Sequence, residues 1–246
     1  MLIVFAAFLI LLIATLSKKK MREDILSRSR IEWIIDVSGL VTQGILIPGL
    51  QIILGVFLYK KFIPSWQGQL HVNGITSFAL NFIFVDYLYY WNHRVLHLKR
   101  TWPIHALHHT AQKLDFLITS RNTIWTPVFI IYLWVNSFFI FILADSTWFL
   151  VAVGLTAALD LWRHSTFTPK AGSLLDKCLS YIFITPNDHA WHHSTGASGI
   201  NFGGNLNFWD RWHGTYRKIE KYPDQLGVEF YGTPVQKLIF PFGVRQ

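Results

Sequence analysis

Apolar positions concentrate in five stretches long enough to cross or nearly cross a bilayer: residues 1 to 16, about 38 to 59, about 75 to 92, about 124 to 143 and about 147 to 162. The rest of the chain is polar or mixed. After Arg163, turn signals at Pro169, Gly172, Pro186, Gly203-Gly204, Pro223 and Pro234 predict short helices and loops. The expected fold is all-α, an integral-membrane helical bundle of about four to five membrane segments with a cytoplasmic histidine-rich cap.

Charge placement orients that bundle. Lys18, Lys19, Lys20, Arg22, Arg28 and Arg30 lie between the first two apolar stretches, which puts that loop on the cytoplasmic side. Counting alternately, with the last two stretches closing as a hairpin through Ala144-Asp145-Ser146, residues 93 to 122 and everything after 163 share that side. Lys60 and Lys61 conflict with the count, so either the second segment is re-entrant, broken at Pro48-Gly49, or the number of crossings there is even.

Composition agrees with a membrane solvent: 52% of the 246 residues are hydrophobic and 15% charged. The aromatic share of 16% fits rings at lipid interfaces or around an apolar cavity. The net charge of +8 flanks apolar runs and no basic, base-stacking module is visible, so anionic lipid rather than nucleic acid is the expected partner. Cys178 is the only cysteine, which excludes an internal disulfide and a thiolate cage. The first apolar run lacks a basic leader and a small-residue cleavage site, so it reads as a retained anchor. Residues 1–72 are expected to form membrane anchor segments, 73–217 the domain that carries the histidine motifs and 218–246 a tail, within one structural unit.

The candidate chemistry is histidine. Nine of the eleven histidines lie between 93 and 193. His93 and His97 are four apart, one helical turn on one face. His105, His108 and His109 repeat the spacing of His189, His192 and His193 as H-x-x-H-H, and His164 ends the fifth apolar stretch. Neutral imidazole binds iron, zinc or copper, and one ion uses about four protein ligands, so nine rings point to two metals. His71 reads as structural, and His213 is left outside the ligand set. Asp86, Tyr90, Asp160 and Asp188 are candidates to stand behind the ligands, because a carboxylate accepting a ligating ring's second N–H is a common arrangement. Asp188 also suits a helix cap after Pro186.

The string Asp86-Tyr87-Leu88-Tyr89-Tyr90-Trp91-Asn92-His93-Arg94-Val95-Leu96-His97, the two H-x-x-H-H motifs, His164-Ser165 and the run Asn201 to Tyr216 together resemble the fatty acid hydroxylase/sterol desaturase superfamily. The likeness covers roughly residues 80 to 217. It implies an eight- or nine-histidine di-iron centre at the cytoplasmic end of a helical bundle, hydroxylating or desaturating sterols, fatty acyl chains or related lipids with dioxygen. It also implies electrons from a separate donor, cytochrome b5-like, ferredoxin or a reductase, since no b5-like segment is attached. Residence in a bacterial inner membrane or the endoplasmic reticulum follows from the same likeness. Purified protein could carry zinc in place of iron, since nitrogen sites favour zinc over ferrous ion. The competing readings are a zinc-dependent membrane hydrolase, disfavoured by the lack of H-E-x-x-H, and a metal transporter, disfavoured because the histidines cluster beyond helix ends.

Overall fold

The computed structural model describes residues 2–196 and 199–241. The apolar N-terminus forms α1, Leu2–Ser17, and the basic stretch after it forms α2, Lys19–Leu26, bent from α1 by 104°. Ser29 then starts α3, Arg30–Phe62, through a reciprocal cap: the Glu32 N–H donates to the Ser29 hydroxyl, and the Ser29 N–H donates to the Glu32 carboxylate. Pro48 does not break α3. The wide turn Thr42–Leu46, bonded i to i+5, precedes it and loosens the ladder where the proline lacks an N–H. A second such turn spans Leu54–Tyr59.

The third apolar stretch forms a continuous helix, α4, over residues 74 to 96, capped by Asn73. The short helix α5, Trp102–His105, follows it. The expected fourth span is not one helix. It divides into α6, Thr126–Phe129, and α7, Tyr132–Ile142. Asn92 explains the break: its amide donates to the Phe129 carbonyl at 3.1 Å and accepts from the Ile131 N–H at 3.2 Å, satisfying backbone groups the interrupted helix leaves free. A tight turn at Ala144 to Ser146 leads into α8, Thr147–Arg163. The remainder forms α9, Leu174–Ile182, α10, Pro186–His192, α11, Phe208–Trp212, and α12, Pro234–Ile239. Among the described residues there is no β-strand, only isolated bridges.

Among the described residues, by length and composition, one helix, α3, is apolar and long enough to cross a membrane, or two if the bent α1–α2 pair is one broken span. That is fewer than the four to five expected from the apolar runs. α7 and α8 are short, at 11 and 17 residues, and the second half of α4 is crowded with polar side chains.

α8 is the hub: α1 and the first half of α4 both pack along it, while α7 lies against α3. Leu11 of α1, Ile25 of α2, Leu161 of α8 and the loop residues Phe116 and Leu117 form one core cluster. Val85, Leu143 and Phe149 form another further along the bundle. This packing brings the C-terminal ends of α4 and α8 to the same level, where α5 and α10 also lie.

The loop after α5 is tied down by charge. Arg121 grips Asp36 with two bonds, Nε at 2.7 Å and Nη2 at 3.0 Å, and Arg28 pairs with Asp115 and stands 3.5 Å from Asp36. Gly39 lets α3 approach this loop, since a Cβ there would fall 1.6 Å from the Ser120 carbonyl oxygen. Asp36→Ala strands the buried Arg121 guanidinium and removes one of the two carboxylates beside Arg28, and should cost about 3–5 kcal/mol. In detergent-purified protein the expected result is an apparent Tm lowered by roughly 10 °C; an unchanged Tm would show that the pair contributes little.

Candidate metal centre

Each histidine is delivered by an element whose formation is local and explicable. His93 sits in the last turn of α4 and His97 caps it. Pro103 starts α5, which ends on His105, and a tight 3-10 turn over His108–Thr110 follows, so the first H-x-x-H-H string is not one regular helix. His164 caps α8. α10 begins with a cap between Thr185 and Asp188, with Pro186 at its start, and carries His189 and His192, with His193 as its C-cap.

All nine rings meet, in two groups. His93, His97, His105, His109 and His192 form the first; His108, His164, His189 and His193 form the second. Within each group the ligating nitrogens lie within 4.8 Å of one another. The two H-x-x-H-H strings therefore trade members: each keeps its i and i+4 histidines together and sends the i+3 ring across to the other group. In α10, at about 100° per residue, i+4 sits about 40° from i and i+3 about 60° on the opposite side, so one turn of chain serves two centres, while the first string reaches the same division through the end of α5 and the 3-10 turn after it. The groups share a wall, where His109 stacks on His193 with ring centroids 4.2 Å apart.

The ring nitrogens face inward. In the first group, Nε2 atoms approach at 3.0 Å for His93 and His105, 3.2 Å for His105 and His109, and 3.1 Å for His93 and His192. In the second they approach at 3.0 Å for His108 and His164, 2.9 Å for His164 and His189, and 3.1 Å for His189 and His193. A carbonyl oxygen can only accept, so three Nδ1 atoms must carry the proton: His93 donates to the Phe202 carbonyl, His192 to the Ile200 carbonyl and His164 to the Asp160 carbonyl, each at 2.8 Å. The Nε2 atoms of His93 and His192 are then bare lone pairs pointing at each other, and the buried His97 Nε2 has no protein partner.

That arrangement fits a metal ion. An ion bound about 2.0–2.1 Å from each nitrogen sets neighbouring donors about 2.9 to 3.3 Å apart, from octahedral to tetrahedral geometry. Protons do not resolve the lone pairs. Burial, reinforced by neighbouring rings, holds His93, His105, His108, His109, His189 and His193 well below the ordinary imidazole value. Burial also brings His97 down to about 2, with repulsion from His192 next, and His192 down to about 4.

The residues expected behind the ligands divide. Asp160 does face a ring: its carboxylate lies 3.4 Å from His164 Nδ1 and also pairs with Arg163. Asp86 touches no imidazole. It accepts the N–H of Asn205 at 2.7 Å and of Leu206 at 3.2 Å, and the Trp209 indole at 2.9 Å. Gly204 permits this approach, since a Cβ there would lie 2.6 Å from the Asp86 carboxylate. The Tyr90 hydroxyl meets Thr215 and Arg94 rather than a ligand, and the Asp188 carboxylate caps α10. The Nδ1 atoms of His105, His108, His189 and His193 have no protein partner among the described residues. His71 is exposed, and His213 stacks with Tyr87, Tyr90 and Trp212 outside both groups.

The positioning groups that sequence reasoning missed are backbone carbonyls. Asp210 accepts the Phe202 and Gly203 N–H groups at 2.8 and 2.6 Å, as Asp86 does for Asn205 and Leu206, so two carboxylates pin the segment that aims the Phe202 carbonyl at His93. Burial pushes Asp210 up to about 6 despite those bonds. Asn201, at φ 53°, extends the pinning by donating to the Asp188 and Arg217 carbonyls. Arg163, buried beside Asp160, donates to the Gly204 carbonyl of the same segment. The run Asn201 to Tyr216 was visible as a motif, but its work is done by main-chain atoms.

The sequence pattern of the fatty acid hydroxylase family matches residues 78–215. Alkylglycerol monooxygenase of Xenopus tropicalis is 28% identical over 141 residues, 56% of this chain and 30% of that protein. Ornithine lipid hydroxylase OlsE of Rhizobium tropici is 31% identical over 142 residues, 56% of this chain and 41% of that protein. Alkylglycerol monooxygenase of Caenorhabditis elegans is 26% identical over 176 residues, 70% of this chain and 33% of that protein. The chain thus spans between 30% and 41% of the length of these relatives. No solved structure matches.

Two outcomes test the centre. Elemental analysis of the purified chain should find about two transition-metal ions. His108→Ala, which leaves the second group three ligands, should lower this to about one, whereas His192→Ala leaves four in the first and should retain both ions at weaker affinity. Equal losses from the two variants would contradict the division of ligands. The second test is acid sensitivity. Because folded-state values lie below the unfolded value near 6.5, the unfolded chain binds more protons below that pH, so stability is retained above it and lost as pH falls toward about 4. Chelator-treated protein should show an apparent Tm falling steeply between pH 7 and pH 5; a flat profile would show that the rings are not buried neutral.

Proposed function

The chain belongs to the fatty acid hydroxylase family, and from that premise we propose that it is a membrane oxidoreductase that hydroxylates a lipid C–H bond with dioxygen at a histidine-held two-metal site. The observation that carries this reading is the pair of buried imidazole groups whose bare nitrogens converge. His93, His97, His105, His109 and His192 would hold one iron ion and His108, His164, His189 and His193 a second, and the pair would supply dioxygen activation with electrons from a separate donor protein. The substrate class is a sterol, fatty acyl or related lipid, in keeping with relatives named for lipid hydroxylation and alkylglycerol oxidation. Desaturation requires the same ligands and differs in how the substrate is placed.

The chain's own residues bind, orient and exclude water. The carbonyls of Phe202, Ile200 and Asp160 fix the tautomers of His93, His192 and His164, so that Nε2 is the free donor in each. Arg163 neutralises Asp160, which keeps a carboxylate next to His164 without leaving an unpaired buried charge. All nine rings except the partly exposed His97 are buried, which keeps bulk water from the metal face. In this reading α3 crosses the bilayer and the histidines face the cytoplasm, a placement supported by the basic residues of α2, whose Asp24 pairs with Lys113 of the loop after His109.

A zinc hydrolase reading is weaker on specific grounds. Among the described residues neither ligand group contains a carboxylate, and Asp160, the carboxylate that faces a ligand ring, is engaged by Arg163 and His164. The test is isotope incorporation. Protein reconstituted with ferrous iron, a reductase system and mixed lipids under 18O2 should yield a hydroxylated lipid carrying label from the gas, and His164→Ala should abolish it. Label arriving from water instead, or lipid cleavage without dioxygen, would overturn the proposal.

A further inference from the structure

α9 is amphipathic in the wrong sense for a helix on an aqueous surface. Its buried residues are polar, Asp176 at 5% and Ser180 at 8% exposure. Apart from Lys177, its exposed residues are apolar or the lone cysteine: Leu174 at 78%, Leu175 at 60%, Tyr181 at 78% and Ile182 at 49%, with Cys178 among them. At about 100° per residue, Tyr181, Leu174, Cys178, Ile182, Leu175 and Leu179 fill an arc of about 160°, with Cys178 near its centre and Asp176 and Ser180 opposite.

The orientation is locked. The inward Asp176 carboxylate accepts from the Gly172 N–H at 3.1 Å and from Lys218 Nζ at 3.0 Å. The Ser180 carbonyl accepts from Asn207 Nδ2 at 2.6 Å and from Arg211 at 3.2 Å. Rolling the helix to hide its leucines would break these buried bonds, so the apolar arc faces outward by construction.

We propose that α9 lies in the plane of the membrane interface, its outward face sunk among the acyl chains of an anionic bilayer. The inference rests on the membrane placement proposed above. Two observations select lipid over a protein partner. The first is charge: from residue 164 to 182 the only carboxylate, Asp176, is turned inward, while Lys170 and Lys177 are exposed beside the arc, a rim suited to anionic headgroups. The second is continuity. The apolar face runs into a groove lined by Leu159, Trp162, Phe167, Leu175 and Leu179 with Lys18 at its edge, and on the other side toward exposed Phe208 and Trp212. This band lies at the ends of α4 and α8 that carry His93, His97 and His164, so α9 sets the depth at which the centre meets the hydrocarbon.

Cys178 makes the test direct, because it is the only cysteine and is exposed. The full chain, spin-labelled at Cys178, is placed in nanodiscs of phosphatidylcholine with phosphatidylglycerol, and collision rates with oxygen and with a neutral nickel chelate are compared. Two controls carry the label in a Cys178→Ser background: Lys113→Cys as an aqueous site and Ile45→Cys on the exposed face of α3 as a lipid site. The expected result is an oxygen-to-nickel ratio at Cys178 at least several-fold above that at Lys113→Cys and short of that at Ile45→Cys. A Cys178 ratio equal to Lys113→Cys, with Ile45→Cys lipid-exposed, would overturn the inference while leaving membrane placement intact. Protection from both reagents would also overturn it, by showing a protein partner or second copy on this face. Aqueous behaviour at both Cys178 and Ile45→Cys would sink the membrane placement itself.

Discussion

Two uncharged nitrogens that meet lone pair to lone pair repel, and the protein holds His93 and His192 in that relation 3.1 Å apart where water does not reach. Each ring is fixed there by a carbonyl that dictates which nitrogen keeps its proton. The repulsion is removed only by a cation, and burial disfavours the proton as that cation. The rest of the structure is an apparatus for maintaining this unfavourable meeting until a metal makes it favourable.

Helix packing brings the parts together, but polar anchors set the angles. α8 aligns α1 and α4, so His93, His97 and His164 reach one level. The finer aim comes from Asp86 and Asp210, which hold the N–H groups of residues 202 to 206 and so point the Phe202 carbonyl at His93. On the opposite side, Asp36 gathers Arg28 and Arg121 and fixes the loop that follows His109. These carboxylates touch no metal ligand, yet each controls a segment that carries or orients one.

Much of this was legible beforehand because it depends on side-chain type and spacing. The helical character, the nine histidines and the turn at Ala144 to Ser146 all follow from local pattern. The exchange of His108 and His192 between groups was present in the helical angle but invisible to a count of ligands. What could not be read were interactions made by backbone atoms, such as the carbonyls behind three rings and the N–H groups on Asp86. The division of the fourth apolar run belongs to the same class, since Asn92 meets the broken backbone from 37 and 39 residues away. Apolar runs suggest four to five membrane segments, whereas among the described residues one helix, or two with the bent pair, meets the length and composition of a span, because interruptions such as that between Phe129 and Tyr132 shorten the helices that the runs form.

Metals held by the traded histidines would be structural rivets as well as reagents. The first group joins α4, the α5 turn and α10; the second joins that same turn, α8 and α10. His93 and His192 are 99 residues apart, so closing that loop imposes an entropic constraint of the kind a long-range covalent crosslink provides. Because the turn and α10 belong to both groups, seating one ion places rings for the other. An ion in either group would therefore also restrain the elements that carry the other.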